Sequence, residues 1–557
     1  MIETLSVPGK SSRSDWSFLT GIAVVIAVLA ALPFLSIAAN LFAGGDSLDT
    51  WNHLASTVLP TYIANTLILC VGVAVGVMLI GVSTAWLVSV HTFPGRRVFE
   101  WALVLPMAVP AYVMAYTYTD FLQFVGPVQT WLRETFGWQA SDYWFPDVRT
   151  IGGAVVVFVF VLYPYVYLLA RAAFLERASG MLEVGRSLGL RPWQSFYRIS
   201  LPLARPAIVA GTSLALMETL ADYGAVSYFG VPTFTTGIYR AWFSLGDHVA
   251  AAQLATGLLG FVALILFAER FSRGRARFST TNGRSHRLSA IALHGVKAWG
   301  ASAFCLLTLA LGFLIPAGLL LRMALAGGDA QFGVRFLGLA RNSFILAAVA
   351  AVAAVVIAVL LAYTARMSRR SLPKLVNRMV GLGYAFPGSV IAVGVLIPVT
   401  RLDNWLANTM MAMGLDNPGL LLTGGISALI YAYLVRFLTI SLQSVETGLT
   451  KITSAMDDAA RSLGLGQGET LRRVHLPLLR GALLTGGLMV FVDVMKELPA
   501  TLVMRPFNFD TLATQAFTLA SDERLAEAST AALAIVAVGI LPLILVSWQM
   551  TRSRKAT

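Results

Sequence analysis

Four acidic side chains stand in stretches otherwise built largely of apolar residues. Glu218 and Asp222 lie in Met217-Glu218-Thr-Leu-Ala-Asp222-Tyr223-Gly224, and Asp493 and Glu497 in Val492-Asp493-Val-Met-Lys496-Glu497-Leu498-Pro499. An ionisable group at membrane depth is costly without a partner or water, so it marks a functional site by default. Spacing by four places each pair on one face of an uninterrupted helix. At 1.5 Å per residue Glu218 falls ~24 Å and Asp222 ~30 Å beyond Pro202, in the outer half of such a helix. Oxygen donors of this kind suit a hard cation better than an anion or a sugar. The four acids are therefore candidate transient metal ligands, with Tyr223 and Lys496 beside them on the pathway and Lys496 balancing part of the charge. Each acid alone also suits a structural hydrogen bond or an ion pair such as Asp493–Lys496. The six histidines show no ligand spacing, and Cys70 and Cys305 both lie in apolar runs. A soft-metal cage and a disulfide framework are thus unsupported.

The elements that position these acids follow from composition. Of 557 residues, 57% are apolar and 12% charged, with a mean hydropathy of +0.73. A soluble chain carries about 25% charged residues, so a soluble enzyme, a disordered chain and a fibrous repeat are excluded. Runs long enough to cross ~30 Å of hydrocarbon number about twelve, near 17–42, 62–90, 99–124, 151–172, 202–228, 251–269, 298–322, 340–365, 379–400, 421–442, 477–503 and 528–549. The uncharged stretch from Trp16 to Gly45 is too long for a signal-peptide core and reads as a retained helix. The segments 1–15, 91–99, 171–206, 270–297, 366–378, 451–480 and 550–557 hold 30 of the 41 Lys and Arg residues. By the positive-inside rule these segments and both termini are cytoplasmic. The net charge of +13 then signals orientation and lipid phosphates, with no call for nucleic acid.

The chain also repeats itself. Segment 183–205 (EVGRSLGLRPWQSFYRISLPLAR) aligns without gaps on 458–480 (DAARSLGLGQGETLRRVHLPLLR), a shift of 275 with ten of 23 positions identical. The same shift pairs Glu218 with Asp493, Asp222 with Glu497, Ala225 with Ala500 and Asp247 with Asp522. A shift of 277 pairs Asn65-Thr66 with Asn342-Ser343 and Pro110 with Pro387. The predicted fold is an all-α polytopic membrane protein of about twelve helices in two parallel six-helix repeats, which places a transport pathway between halves. The predicted boundaries are 1–61 (tail, first membrane helix, outer loop), 62–265 (first repeat), 266–297 (basic cytoplasmic linker), 298–337 (seventh helix and outer loop), 338–545 (second repeat) and 546–557 (basic tail).

The best-matched part of the repeat is a cytoplasmic loop, where lipid imposes nothing on the sequence. Ser454-Ala-Met-Asp457 fits a capping box opening a helix, with Asp457 and Asp458 favourable at its positive end. Glu183 takes the equivalent place in the first copy. Gly189 and Gly464 sit where a helix would end in a left-handed cap. A second short helix, with Pro192 in its first turn in the first copy, leads to Leu201-Pro202 or Leu476-Pro477. Each loop is thus predicted to be a helix–turn–helix.

An acid, small residues, a glycine six positions on and a Leu-Pro beyond resemble the EAA loop of ABC importer permeases. The two copies are Glu183-Val184-Gly185…Gly189…Leu201-Pro202 and Asp458-Ala459-Ala460…Gly464…Leu476-Pro477; both depart from strict E-A-A, most at Val184-Gly185. The resemblance implies that these residues dock a dimer of separate ATPase subunits. The strings 218–224 and 496–502, followed by Arg505-Pro506-Phe507-Asn508-Phe509-Asp510-Thr511, resemble fused permeases of ferric-iron importers. That likeness spans roughly 62–265 and 338–545. It implies Fe(III) delivered by a periplasmic or lipid-anchored binding protein and moved across the bacterial inner membrane by alternating access. Related fused permeases handle thiamine or phosphonates. A P-loop needs G-x-x-x-x-G-K-[ST], and the nearest match, Gly9-Lys10-Ser11, has Thr4 in place of the first glycine. No cofactor and no catalytic residue is therefore expected on this chain; ATP and Mg belong to the partner ATPase. The competing readings are a twelve-helix secondary transporter of the major facilitator type, for which Pro94-Gly95-Arg96-Arg97 is the only suggestive motif, and a channel or membrane scaffold.

Overall fold

The computed structural model describes residues 12–40, 47–187, 189, 192–273, 291–327, 333–368 and 371–553. Most of the predicted linker and the ends of both tails lie outside these residues. Among the described residues eleven helices are long and apolar enough to cross a membrane, from Leu19–Asn40 to Leu525–Ile544. The twelfth span is a broken one, Arg96–Ala108 with Ala111–Phe136, bent by 93°. We number these twelve spans in chain order, the broken one being the third. The only strands among the described residues are His91–Thr92 and Ile291–Ala292, paired in parallel.

The breaks follow from proline. Pro110 has no N–H to donate and drives the residue before it out of the helical region. Val109 accordingly sits at φ −94°, ψ 115° and Pro110 at −60°, 145°. The second repeat does the same at Phe386 (−91°, 133°) and Pro387 (−59°, 141°). A short 3₁₀ turn precedes each break, at Leu105–Ala108 and Gly383–Ala385.

A second proline effect is duplicated. Pro202 and Pro477 open the membrane-bound parts of the fifth and eleventh spans, and each follows a five-residue π turn, Phe196–Ser200 and Leu471–His475. There the Leu201 N–H reaches back to the Phe196 carbonyl and Leu476 to Leu471. The widened turn accommodates a residue that can neither donate nor tolerate a carbonyl four residues back. The predicted second loop helix is therefore continuous with the span that follows it.

The chain clusters into two compact units. One comprises residues 1–40, 343–495 and 504–508; the other 41–342, 496–503 and 509–557. In the first, the helix Ser12–Asn40 packs on Leu372–Val380 and Gly388–Ala412, and Ser427–Thr450 packs on Leu476–Met495. Arg401 Nη2 donates to Asn40 Oδ1 at 3.0 Å across the first of these contacts. In the second, Leu59–Val90 packs on Ile151–Ser187, which packs on Leu201–Ala221; Ile315–Gly327 packs on Leu525–Ser553. Small residues permit the approach, as usual between membrane helices. A Cβ on Gly211 would lie 2.9 Å from the Tyr165 carbonyl oxygen, and one on Gly486 3.2 Å from the Ser441 Cα. These glycines are 275 apart, so both repeats close the same helix pair in the same way.

Candidate functional site

The repeated loops come first. In the second copy the helix Ser454–Ser462 ends in a left-handed Gly464 (φ +77°). Leu465 N–H reaches Ala460 O at 3.0 Å and Gly464 N–H reaches Arg461 O at 2.9 Å, the paired bonds of a Schellman cap. Gly189 has φ +74° in the first copy. Nothing lies within 4 Å of a Cβ at either glycine; backbone conformation, and no steric limit, favours glycine there. The Ser454 helix buries only Asp457 and Ala460, leaving Met456 42% and Leu463 81% exposed. Asp458 is exposed and ion-paired to Arg461 at 2.6 Å. Ala460 lies inward, Leu476 is half-buried and Pro477 exposed. Leu201 and Pro202 show the same burial as their counterparts.

Two expectations need correction here. The N-cap of the second loop helix is Thr453, with no side-chain cap bond, so the capping box at Ser454 does not form. Its Asp457 is drawn inward by stronger donors: Arg366 Nη2 at 2.9 Å and His475 Nε2 at 2.7 Å. Burial opposes the Asp457 charge, but these hydrogen bonds and the nearby cations outweigh it and hold the carboxyl below the usual carboxylate range. In the first copy no separate loop helix starts at Glu183; Glu183 and Gly185 lie within the continuous helix Ile151–Ser187.

The intramembrane acids form the second candidate group, and the predicted shared helical face is not observed. The fifth span ends at Ala221, and Asp222 is extended (φ −73°, ψ 136°). The eleventh ends at Met495, before Lys496 and Glu497. Asp222 and Glu497 instead head the short helices Gly224–Tyr228 and Pro499–Met504. Asp222 Oδ1 accepts from Ala225 N at 2.8 Å. Glu497 Oε1 accepts from Ala500 N and Oε2 from Thr501 N, both at 2.9 Å. These carboxylates satisfy backbone donors that a broken helix would otherwise strand in a poorly solvated place. Glu497 is 5% exposed, Asp222 half-buried. Glu218 and Asp493 lie one turn before the breaks and are half-buried. Among the described residues no group of three or more His, Cys, Asp or Glu side chains is placed to hold a metal ion.

Asp222 and Glu497 nevertheless belong to one neighbourhood. A Cβ on Gly224 would lie 2.7 Å from both the Tyr112 Cβ and the Leu498 Cδ2, so the two breaks meet at this glycine. Tyr223, 8% exposed, stacks on Tyr239 at 4.5 Å and tilts against Phe517 at 5.8 Å.

Beyond the breaks the repeats stay equivalent, with the shift grown to 278. Thr233 with Thr236 and Thr511 with Thr514 form reciprocal capping boxes. The side-chain amides of Asn65 and Asn342 reach the preceding carbonyls, Pro232 O at 2.9 Å and Asp510 O at 3.1 Å. The pairing of Asp247 with Asp522 does not hold in this register. Asp247 caps the helix from His248, with Oδ1 accepting from Ala250 N at 2.9 Å, whereas Asp522 ends Leu512–Ser521. The boxes were readable as Thr-x-x-Thr at a common shift. Arg366 and His475 carried a weaker signal, residues whose positions at the repeat shifts hold Ser89 and Ser200.

Residues 77–274 match the family described as binding-protein-dependent transport system inner membrane component. The Fe(3+)-transport system permease protein FbpB 2 of Haemophilus influenzae is 25% identical over 95% of this chain and 97% of its own length. The putative ferric transport system permease protein FbpB 1 of the same organism is 23% identical over 85% of this chain and 75% of its own length. The molybdenum transport system permease protein ModB of Escherichia coli K12 is 31% identical over 35% of this chain and 87% of its own length. The molybdenum permease thus matches a part of the chain and FbpB 2 nearly all of it, and the secondary-transporter, channel and scaffold readings are set aside. The chain belongs to the binding-protein-dependent transport system inner membrane component family, as a multi-pass, non-catalytic permease subunit of an ABC importer that works with a separate ATPase and a substrate-binding protein.

Proposed function

We propose that this permease carries ferric iron, received from a periplasmic or lipid-anchored binding protein, into the cytoplasm by alternating access. The carrying observation is the similarity to the ferric permease FbpB 2 over 95% of this chain. The likeness to the molybdenum permease covers only 35%. In this reading both termini are cytoplasmic, as the distribution of Lys and Arg indicates. The repeat boundaries at 62–265 and 338–545 stand with it.

The loops at Glu183, Gly185, Gly189, Leu201 and Pro202, and at Asp458, Ala460, Gly464, Leu476 and Pro477, dock the ATPase dimer. What supports this is the outward side of the second loop, with Met456 on the Ser454–Ser462 helix and Leu463 at its C-cap both exposed. Apolar side chains left uncovered at a loop tip suit a partner groove.

The pathway passes the breaks at Asp222-Tyr223 and Lys496-Glu497. Glu218 and Asp493, one turn before each break, act as passing acceptors for the cation. Asp222 and Glu497 hold the breaks open through their caps. A hard cation that must leave again is better served by few, separated carboxylates than by a closed cage. Iron uptake at limiting iron tests this. Glu218→Gln combined with Asp493→Asn should abolish uptake while leaving the protein in the membrane; unchanged uptake would remove the acceptor role.

A further inference from the structure

One buried cluster in the second repeat takes no part in the reading above. Arg366, in the last turn of the Val334–Met367 helix, faces Asp457 in the first turn of Ser454–Ser462. His475 ends the π turn Leu471–His475. Asp457 accepts on both oxygens, Oδ1 from His475 Nε2 at 2.7 Å and Oδ2 from Arg366 Nη2 at 2.9 Å. Arg366 also donates from Nη1 to Leu449 O at 2.7 Å and from Nη2 to Ile452 O at 2.9 Å. It thereby adds side-chain donors at the C-terminal end of the Ser427–Thr450 helix, where Leu449 O also accepts from Ile452 N at 3.1 Å. Tyr363, one turn earlier, donates its hydroxyl to Gln467 O at 2.8 Å and meets the His475 ring edge-on at 5.6 Å. One carboxylate therefore joins the ends of the eighth, tenth and eleventh spans to the loop helix.

The arrangement is specific in its chemistry. His475 is 0% exposed, and its Nδ1 is buried without a hydrogen-bond partner. Nε2 meets the Asp457 carboxylate, which can only accept, so the ring donates there and has this one hydrogen bond. The loop helix has nine residues and buries only Asp457 and Ala460. A helix that short has little stability of its own, so its orientation depends on what fastens Asp457. The sequence of the first repeat lacks these three residues. The repeat shifts put Ser89, Leu182 and Ser200 where the second has Arg366, Asp457 and His475.

We propose that Arg366, Asp457 and His475 form a latch that makes the second loop a rigid lever, so that the two loops transmit the ATPase stroke unequally. All three are positioning residues, and the proposal rests on the reading of the loops as ATPase docking elements. In the first loop, movement is passed on through the continuous helix Ile151–Ser187. In the second, whose helix is separate from the tenth span, it passes through the latch to the eighth and eleventh spans.

The test uses the full-length chain assembled with its ATPase subunits in lipid. His475→Gln keeps an N–H donor for Asp457; His475→Leu removes it. For each variant, three quantities are measured: ATPase co-purification, backbone amide exchange over residues 455–465, and ATP hydrolysed per cargo ion transported. His475→Leu should raise exchange in the loop helix about tenfold or more and raise the ATP consumed per ion, with co-purification unchanged. His475→Gln should match the unmodified protein, and Ser200→Leu should change neither quantity. Should His475→Leu fail to assemble, Asp457→Asn, of the same size, is held to the same readouts. Unchanged exchange and coupling in the donor-less variant, or equal uncoupling by Ser200→Leu, would overturn the latch. Failure of the docking reading is seen separately, as ATPase binding that persists when both Gly189 and Gly464 are replaced.

Discussion

The Asn377 side-chain amide donates to the Glu446 carboxylate at 2.7 Å, in the place where the first repeat carries the Arg171–Glu100 ion pair. Shifts of 277 and 275 superpose Glu100 on Asn377 and Arg171 on Glu446. Each pair joins the short helix before a proline break, Arg96–Ala102 or Leu372–Val380, to the span that follows it in the repeat. The contact persisted through duplication while its chemistry changed from two charges to one. Arg171 is 5% exposed and the Glu100 side chain 21%, so removing Arg171 takes a charge partner from a partly buried carboxylate, at a cost of about 3 kcal/mol. Glu446→Ala removes one charge-assisted bond and should cost about 1.5–3 kcal/mol. Thermal unfolding of Arg171→Ala and Glu446→Ala should rank in that order. The exchange Glu100→Asn with Arg171→Glu should recover part of the loss caused by Arg171→Glu alone.

The caps at the helix breaks make a second expectation. Asp222 Oδ1 accepts from Ala225 N and Val226 N, which an amide oxygen can also do, so Asp222→Asn should keep these caps and Asp222→Ala should lose about 1 kcal/mol. Glu497 uses both oxygens, on Ala500 N and Thr501 N. In Glu497→Gln one oxygen becomes an NH₂ facing a donor, so this variant should lose more stability than Asp222→Asn. Melting of the purified proteins in the same lipid checks the order.

Legibility in the sequence divided along physical lines. Span number, the repeat, and Gly189 and Gly464 were readable because hydrophobic runs and left-handed caps depend on local residue types. The outward loop face was partly readable for the same reason. The breaks after Ala221 and Met495 were not, since Glu218 to Asp222 has the spacing of a helix and only tertiary packing at Gly224 shows why the chain unwinds. The Ser454 capping box failed because Arg366, distant in sequence, outcompetes a local backbone donor for this side of the loop helix. Long-range charge pairs leave no period in a sequence.

Acid should loosen the second loop in a predictable direction. The folded Asp457 carboxyl is held below its ordinary value, near 3.9 in an unfolded chain. Its stabilising contribution is therefore complete above that value and is lost as pH falls through the lower, folded pKa. Amide exchange over 455–465, after correction for intrinsic exchange, should rise in acid. In Asp457→Asn this acid limb should disappear.

The glycine caps offer a local test of docking. Gly464→Ala meets no atom but must hold φ near +77°, a strain of about 1 kcal/mol. Gly464→Asn tolerates that region better. ATPase co-purification should fall in the order unmodified protein, Asn variant, Ala variant.

The central claim is that this permease moves ferric iron at the expense of ATP. Its most direct test is uptake of radioactive iron by proteoliposomes holding the permease and its ATPase, with the iron-loaded binding protein supplied outside. Iron should accumulate only with ATP on the ATPase side and should be unaffected by collapse of the proton gradient. Failure to accumulate iron, with ATP-driven accumulation of molybdate, thiamine or a phosphonate delivered by its own binding protein, would contradict the account.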